Sequence, residues 1–301
     1  MSFLNNLITG LSLGSIYAII ALGYTMVYGI AKMLNFAHGD VIMVGAYVCF
    51  FAVSSFDLPP VLGVLLAMIV CTALGVIIER LAYKPLRQSV SLAVLITAIG
   101  VSYFLQNGAQ ILWGAAPKVF PSFFTRTDAQ GVTHNGVSLF DGRLNITYVA
   151  IVTVLACVVT MVALTLFTSK TKLGKAMRAC SEDKGAAQLM GINVDSTISM
   201  TFAIGSALAA VAGVLMCSAY PTVSPTTGSL PGIKAFTAAV FGGIGSIPGA
   251  FLGGILLGVI ETMTKAYITT DLYDAVVFAL LVVVLLVKPS GLLGKYVPEK
   301  V

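Results

Sequence analysis

Long apolar runs, separated by short polar segments, occupy most of this sequence. They lie at roughly 3–30, 41–56, 59–78, 90–113, 146–168, 197–219, 234–262 and 272–288. A bilayer-spanning helix needs about 20 mostly apolar residues, which is close to the length of most of these runs. Hydrophobic residues make up 58% of the 301 positions and charged residues 10%, against roughly 45–50% and 25% in soluble domains. The sequence predicts an all-α, polytopic integral membrane protein with residues 1–301 in a single transmembrane domain.

Two of the runs carry residues that interrupt a helix. The run at 41–56 is short, and the polar stretch before it predicts a broken or re-entrant entry into the membrane: Asn35, His38, Gly39 and Asp40. The run at 234–262 contains residues that could divide it in two and act as hinge or packing positions: Gly242, Gly243, Gly245, Pro248 and Gly249. We therefore expect about 8 transmembrane helices, or about 8–10 counting broken or re-entrant segments.

Basic residues concentrate in segments that the topology places on one side of the membrane. Twelve of the seventeen lysines and arginines follow the first run or lie in 79–90, in 169–195 or in the tail after 287. Short cytoplasmic loops are enriched in such residues, so these segments are assigned to the cytoplasm, and the loops at about 114–145 and 220–233 to the outside. An uncharged outer N-terminus and a basic cytoplasmic tail favour division of the run at 234–262. The net charge of +5 forms no basic face, so no nucleic-acid partner is expected.

Signatures of enzymes and of cofactor binding are missing. Gly174-Lys175 is followed by Ala176 and has serine at position 169, so it is not a phosphate-binding loop. The cysteines and histidines have no metal-ligand spacing, and no cofactor is expected. If the chain moves a solute uphill, the energy comes from an ion gradient or from a separate ATPase.

Ion coupling has little support, although a proton-coupled carrier remains an alternative. Carriers of that kind place carboxylates in mid-membrane, whereas the three candidates here lie near the ends of runs. Glu79 adjoins Arg80, and Glu261 has Lys265 four residues later, which favours satisfied interfacial pairs; the third candidate is Asp40.

Polar side chains within and before the apolar runs are candidates for the transport pathway. Gln106, Asn107 and Gln110 form a polar patch in the run at 90–113. Such a patch either makes hydrogen bonds between helices or lines a pathway. The candidate pathway or gating residues are Asn35, His38, Asp40, Gln106 and Asn107.

Small residues recur four positions apart, a spacing that lets helix backbones approach closely in lipid. Packing within one chain and a dimer seam both fit this pattern, at Gly10/Gly14, Gly205/Ala209/Gly213, Gly249/Gly253 and Gly254/Gly258. The identical segments Gly14–Ile16 and Gly245–Ile247 each open an apolar, glycine-rich run, as in an internal repeat, although three matching residues do not establish one.

The polar segment at 169–195 has the pattern of short amphipathic helices. One stripe is expected to carry its small and apolar residues: Ala176, Ala179, Cys180, Ala186, Ala187, Leu189 and Met190. Glu182 and Asp183 suit a helix N-terminus, and Gly191 suits a helix end. Such a helix either docks into a groove of another protein or rests on anionic lipid.

Short motifs along the whole chain resemble the membrane permeases of ATP-binding-cassette importers for branched-chain amino acids, in particular the first of their two permease subunits. These motifs are Gly14–Ala18, Gly23–Ile30, Asn35–Asp40, Glu79–Arg87, Arg178–Asp183, Gly191–Asn193, Lys234–Val240 and Gly242–Ala250. The resemblance implies a multi-pass permease of the bacterial inner membrane that is not itself an enzyme. It also implies a second homologous permease, two cytoplasmic ATPases and a periplasmic amino-acid-binding protein as partners, besides membrane lipid.

The resemblance further assigns the segment at about 169–195 to contact with the ATPases. The residues carried over are Arg178, Glu182, Asp183, Ala186, Ala187 and Gly191. The segment departs from the general pattern of importer permeases, in which two alanines directly follow the glutamate. A permease for urea or short amides shares much of the same pattern and remains an alternative.

Overall fold

A computed structural model describes residues 2–87, 89–124, 126–127, 133–139 and 144–294. The long helices are α1 (Ser2–Ala31), α2 (His38–Ser54), α3 (Pro60–Ile78), α4 (Ser91–Trp113), α5 (Tyr148–Lys170), α8 (Val194–Ala219), α9 (Ser229–Gly242), α10 (Ile247–Tyr267) and α11 (Tyr273–Val287). Two short helices, α6 (Lys172–Glu182) and α7 (Lys184–Leu189), join α5 to α8. A π-helical turn, Glu79–Tyr83, and a 3₁₀ turn, Lys84–Leu86, extend α3.

The helices confirm the prediction of a polytopic membrane protein. Within the described ranges, six helices are long and apolar enough to cross a membrane: α1, α3 with its extension, α4, α5, α8 and α10. The apolar helices α2 and α11 are shorter, and α9 has 14 residues. Together they agree with the expected number of membrane elements, and each begins and ends within a few residues of the corresponding apolar run.

Helix α1 lies in the middle of the bundle and packs antiparallel to α10 through glycine. A Cβ placed on Gly258 would lie 2.2 Å from the Cα of Gly14, and a Cβ on Gly254 would lie 2.3 Å from the Cα of Ala18. These backbones therefore touch, which larger side chains would prevent. The spaced small residues of these two helices serve packing within one chain.

The second central helix, α8, packs against α2 and α3 in the same manner. A Cβ on Gly45 of α2 would meet the Cα of Ala210 at 2.6 Å, and one on Gly75 of α3 would meet Oγ of Ser206 at 2.0 Å.

The two groups of helices α1–α4 and α8–α11 repeat one order of elements: a long central helix, a shorter one, then two more. They run in opposite directions, as in an inverted repeat. The repeat suggested by the resemblance of Gly14–Ile16 to Gly245–Ile247 is wrong, because Gly14 lies inside α1 whereas Gly245 lies in a turn.

The first and last described residues, 2 and 294, lie on opposite sides of the bundle because a turn separates α9 from α10. Asn5 of α1 accepts a hydrogen bond from the backbone of Asn145, far from the C-terminal end of α1, where Gly29 approaches Gly245. Residues 292 and 293 bond the last carbonyls of α9. We call the side with Gly29, α6 and α7 the basic end, and the other side the opposite end.

The turn between α9 and α10 explains the glycine-rich sequence there. Gly243 and Gly245 have φ values of 106° and 95°, a region that glycine adopts without strain. Gly242 and Gly249 lie backbone to backbone, since a Cβ on Gly242 would be 2.0 Å from the carbonyl oxygen of Gly249. Pro248 occupies the first turn of α10, where a missing N–H costs nothing. The predicted division of this run is confirmed.

Loops at the opposite end form short antiparallel strands. These are β1 (Lys118–Val119), β2 (Arg126–Thr127), β3 (Thr133–His134), β4 (Gly136–Leu139), β5 (Leu144–Thr147) and β6 (Thr222–Val223). β2 pairs with β3 and β4 with β5, whereas β1 pairs with β6 and so joins the two loops that were predicted to lie on one side. The second loop ends earlier than expected, because α9 begins at Ser229 rather than near 234.

Candidate transport and coupling sites

Helices α2 and α9 begin inside the bundle, and their N-terminal ends meet there. The ring of His38, the first residue of α2, lies 4.6 Å from that of Tyr24, which is about 10 Å from the end of α1 at 1.5 Å per residue. A Cβ on Gly39 would be 2.6 Å from the carbonyl oxygen of Gly228, directly before α9. The positive ends of two helix dipoles are thereby brought together at a depth where water is scarce. The predicted broken entry at residues 35–40 is confirmed.

A carboxylate lies where these two helices begin. Asp40, in the first turn of α2, is 1% exposed, and its Oδ1 accepts a hydrogen bond of 2.9 Å from Nε2 of Gln106 on α4. The same Nε2 lies 3.1 Å from Oγ of Ser229 and 3.2 Å from Oγ of Ser102. We call these four residues the half-helix cluster. A carboxyl group at these two helix N-termini accepts a hydrogen bond there and suits the direction of both helix dipoles.

The structure separates the other candidate pathway residues from this cluster. Asn35 accepts a hydrogen bond of 2.9 Å from the hydroxyl of Tyr83 near the basic end. His38 is buried against α1, and among the described residues its Nε2 has no hydrogen-bond partner. Asn107 is exposed and donates to the carbonyl of Tyr103 in its own helix. Gln106 and Asn107 therefore do not form one patch, because neighbouring residues of a helix point about 100° apart.

A buried ionic network, which the sequence only partly revealed, joins four helices towards the opposite end. Glu261 of α10, 1% exposed, bonds Nζ of Lys265 at 2.6 Å, as its spacing predicts. It also bonds Nζ of Lys234 on α9 at 3.0 Å and the hydroxyl of Tyr17 on α1 at 2.9 Å. Lys234 lies 2.6 Å from Asp274 of α11 as well. A lysine inside an apolar run needs an acidic partner, and that rule was the signal that could have identified Lys234.

A second ionic cluster lies at the basic end, and its pairs differ from the expected one. Glu79 is fully buried and is paired with Arg87, not with Arg80; its second oxygen accepts a hydrogen bond of 2.6 Å from Ser199. Arg87 also bonds Asp195 at the start of α8. Arg80 is exposed, because neighbouring residues of a helix point about 100° apart and the buried Glu79 therefore lies on a different face. These contacts fix the end of α3 to α8.

Helices α6 and α7 are held in shape by capping interactions. The side chain of Thr171 caps α6, and that of Asp183 caps α7 by accepting the backbone N–H of Ala186 at 3.0 Å. At the end of α7, the N–H of Gly191 bonds the carbonyl of Gln188 and the N–H of Ile192 bonds that of Ala187, each at 3.0 Å. This pair of bonds is a Schellman motif, which requires a left-handed residue; Gly191 has a φ of 81°.

The predicted apolar stripe of this segment is only partly correct. Cys180 and Ala187 are buried and Ala176 and Ala179 are half-buried, whereas Ala186, Leu189 and Met190 are exposed. The stripe ends because the chain breaks at Asp183, which turns α7 relative to α6. Leu189 is 90% and Met190 83% exposed, so the tip of α7 presents two apolar side chains outside the bundle. Glu182 and Arg178 are exposed beside them, and Arg178 donates to the carbonyl of Ser169.

Lys184 connects α7 to the central helix. Its Nζ donates a hydrogen bond of 2.7 Å to the carbonyl of Ala31, the last residue of α1. A cation at a helix C-terminus satisfies a free carbonyl and is favoured by the helix dipole. Burial, followed by the nearby charges of Arg87 and Lys32, lowers the pKa of Lys184 from its usual value.

Comparisons with known proteins agree with this architecture. A family described as the permease component of branched-chain amino acid transport systems matches residues 6–285. The high-affinity branched-chain amino acid transport system permease protein LivH of Salmonella typhimurium is 46% identical over 307 positions, which cover 99% of this chain and 98% of that protein. The corresponding permease protein BraD of Pseudomonas aeruginosa is also 46% identical, with the same coverage.

Among solved structures, PsaBC from Streptococcus pneumoniae in complex with Fab is similar in fold. Its TM-score is 0.50 at 12% identity, over 96% of this chain and 93% of that chain. The family match and the identity of nearly half over the full length decide the classification. This chain belongs to the family of permease components of branched-chain amino acid transport systems.

Proposed function

We propose that this chain is the membrane subunit of an ATP-driven importer for branched-chain amino acids in the bacterial inner membrane. It works with a second homologous permease, two cytoplasmic ABC ATPases and a periplasmic binding protein. The observation that carries the proposal is the tip of α7, where Leu189 and Met190 are almost fully exposed at the basic end. Two adjacent exposed apolar side chains on a capped helix suit insertion into a groove of a partner protein.

The contacts of α6 and α7 supply a route by which motion of an ATPase reaches the membrane helices. A displacement of α7 pulls on Lys184 and therefore on the end of α1. It also reaches the start of α8, where Asp195 bonds Arg87 and Lys84. Because α1 and α8 are the two central helices, both halves of the inverted repeat respond to one movement. Arg178, Glu182, Asp183, Ala186, Ala187 and Gly191 belong to this coupling segment, α6–α7.

The half-helix cluster is the candidate gate. Gln106 joins α4 to the starts of α2 and α9, so α4 cannot move relative to them without exchanging these hydrogen bonds. On the outward side of α4, the exposed residues Asn107 and Gln110 place polar groups at membrane depth. We assign this side to the second permease and to the pathway between the two subunits, because polar groups facing lipid are costly.

The opposite end provides a mouth for substrate delivery. A cavity of about 450 Å³ lies between the first half of α1, the start of α5 and the two paired loops. Its polar lining includes Ser12, Asn135, Thr147 and Tyr220. Uncharged donors and acceptors of this kind suit a zwitterion that is released from a binding protein.

The substrate assignment rests on the names of the relatives, which are branched-chain amino acid permease proteins at 46% identity. ATP dependence separates the proposal from a proton-coupled carrier. In proteoliposomes containing the complete complex, leucine uptake is expected to require ATP on the side of the membrane that carries the ATPases. It should persist when an uncoupler removes the proton gradient. If urea inhibits leucine uptake and isoleucine does not, the result would instead favour a permease for urea or short amides.

Substitution of the α7 tip tests the coupling role. The double variant Leu189→Ser, Met190→Ser is expected to insert normally but to recover far less ATPase on affinity purification, because the apolar groups that fill the partner's groove are gone. Gln188→Ser is the matched control, since Gln188 is an exposed polar residue on the same helix. Undiminished ATPase recovery and transport in the double variant would refute the assignment of the coupling tip.

A further inference from the structure

A second cavity, of about 330 Å³, opens at the basic end between three parts of the chain. Its walls come from the end of α1, the connection from α3 to α4, and α7. Three cationic side chains contribute to the lining: Lys32, Arg87 and Lys184. The described lining contains no carboxylate.

The charges around this cavity are only partly compensated. Arg87 is shared by Glu79 and Asp195, and Lys84 also bonds Asp195 at 2.8 Å, so these four residues balance one another. Lys184 bonds a neutral carbonyl, that of Ala31. Its lowered pKa reflects burial beside other cations. The structure therefore holds surplus positive charge at this position.

Neutral hydrogen-bond donors face the same cavity. Ser89 and Ser91 are in its lining, and α4 begins at Ser91 without a side-chain cap. The first N–H groups of a helix have no partner within the helix, and the helix dipole makes them favourable for an anion. Lys32 lines the same cavity. Its backbone is left-handed, with a φ of 57°, which is a strained conformation for a lysine.

The rest of the lining is apolar and continues to the membrane-facing surface. Leu34, Leu86, Val94 and Leu95 contribute to the cavity, and Leu92, next to it in α4, is 63% exposed. An occupant thus meets cations and hydroxyls at one side and hydrocarbon at the other. A free inorganic anion uses only the first of these features.

We infer that this cavity binds the phosphate of an anionic phospholipid in the cytoplasmic leaflet, with Lys32, Lys184 and the start of α4 around the phosphate. Basic pockets between membrane helices on the cytoplasmic side are suited to such headgroups. The lipid bridges the end of α1, the start of α4 and α7, which supply the lining of the cavity. The site goes beyond the proposed function and stands without it, because its binding is measured separately from transport.

Lipid retention measures the site directly. The complete complex is purified in detergent and exposed to equal amounts of phosphatidylglycerol and phosphatidylcholine, and the retained lipids are counted by native mass spectrometry. The wild type is expected to retain phosphatidylglycerol preferentially. Lys32→Asn should lower that retention about fivefold, the effect of removing one cation at a membrane surface, while asparagine tolerates the left-handed backbone. Lys184→Gln is the second variant, with the same expectation.

Arg80→Gln is the matched control, because Arg80 is an exposed cation at the same end that does not line the cavity. Equal retention of the two lipids by the wild type, or an equal loss in Arg80→Gln, would overturn the inference. Inorganic phosphate distinguishes the source of the anion. If it raises the Tm of the complex in phosphatidylcholine nanodiscs and phosphatidylglycerol does not, the lipid is refuted as the occupant; if neither raises the Tm, the anion site is refuted.

Discussion

The turn at Gly191 allows the coupling segment to be tested by graded substitution at one position. Gly191 has a φ of 81°, and nothing lies within 4 Å of a Cβ added there. A substitution therefore changes only the preference of the backbone and does not disturb packing. Since α7 has six residues, far fewer than an isolated helix needs in water, its order depends on its caps.

The expected costs follow from the left-handed conformation. Alanine at such a position costs roughly 1–2 kcal/mol, which lowers the ratio of ordered to frayed α7 about 5- to 30-fold. Asparagine visits this region more readily than alanine, so Gly191→Asn should cost less. Proline cannot adopt a positive φ and lacks the N–H that bonds Gln188, which gives a cost of about 3 kcal/mol or more. The wild type, Asn, Ala and Pro thus form a series of decreasing order at the α7 tip.

The assay compares ATP hydrolysis with leucine uptake in proteoliposomes that contain the complete complex. Uptake per ATP hydrolysed should fall in the order of the series, with Gly191→Pro close to uncoupled. Charge reversal at Glu182 and Asp183 should uncouple in the same way, because it removes the cap of α7. Pull-down of the ATPase and a count of inserted protein control for assembly. Unchanged coupling in Gly191→Pro with the complex intact, or equal effects of Asn and Pro, would refute the reasoning.

Two further predictions concern the membrane helices. Gly254→Ala should lower the free energy of unfolding by about 1–3 kcal/mol, the cost of overpacking, because the new Cβ would lie 2.3 Å from the Cα of Ala18 in α1. In the control Gly100→Ala, nothing lies within 4 Å of the new Cβ, so the Tm in detergent should hardly change. Equal shifts of Tm in the two variants would contradict the packing argument. Gln106→Leu should cost about 1–3 kcal/mol by leaving the Asp40 carboxyl group without its amide donor. It should also reduce uptake more than the control Thr165→Val, which removes a hydroxyl that donates to a carbonyl of its own helix α5; an equal or larger loss in the Thr165 variant would contradict the assignment of the gate.

Much of the architecture was predictable because lipid imposes a strong rule on the backbone. Every N–H and C=O group in hydrocarbon needs an internal partner, so each apolar run becomes a helix of nearly the same extent. Breaks were visible for the same reason, as at Gly243 and Gly245, where helical hydrogen bonding stops. Asp183 and Gly191 were expected at helix ends, because capping depends on residues close in sequence.

Partners distant in sequence were not predictable in this way. Glu79 was expected to pair with the adjacent Arg80, but it is buried on another face of the helix and bonds Arg87 and Ser199. Glu261 binds Lys265, as its spacing indicated, but also Lys234, 27 positions earlier. A sequence pattern of period 3.6 states which face a residue occupies, not which helix lies opposite.

The sequence by itself determined the membrane environment, the approximate extent of the helices and the family, and it left the number of membrane elements at about 8–10. These properties depend on local composition and on hydrogen bonds within each helix, so they need no knowledge of neighbours. Only the tertiary structure decided that α2 and α9 begin face to face at Asp40, that Leu189 and Met190 point away from the bundle, and that Lys32 and Lys184 share a cavity whose described lining has no carboxylate. Each of these depends on the crossing of helices far apart in sequence, which is set by close backbone contacts such as the one between Gly14 and Gly258.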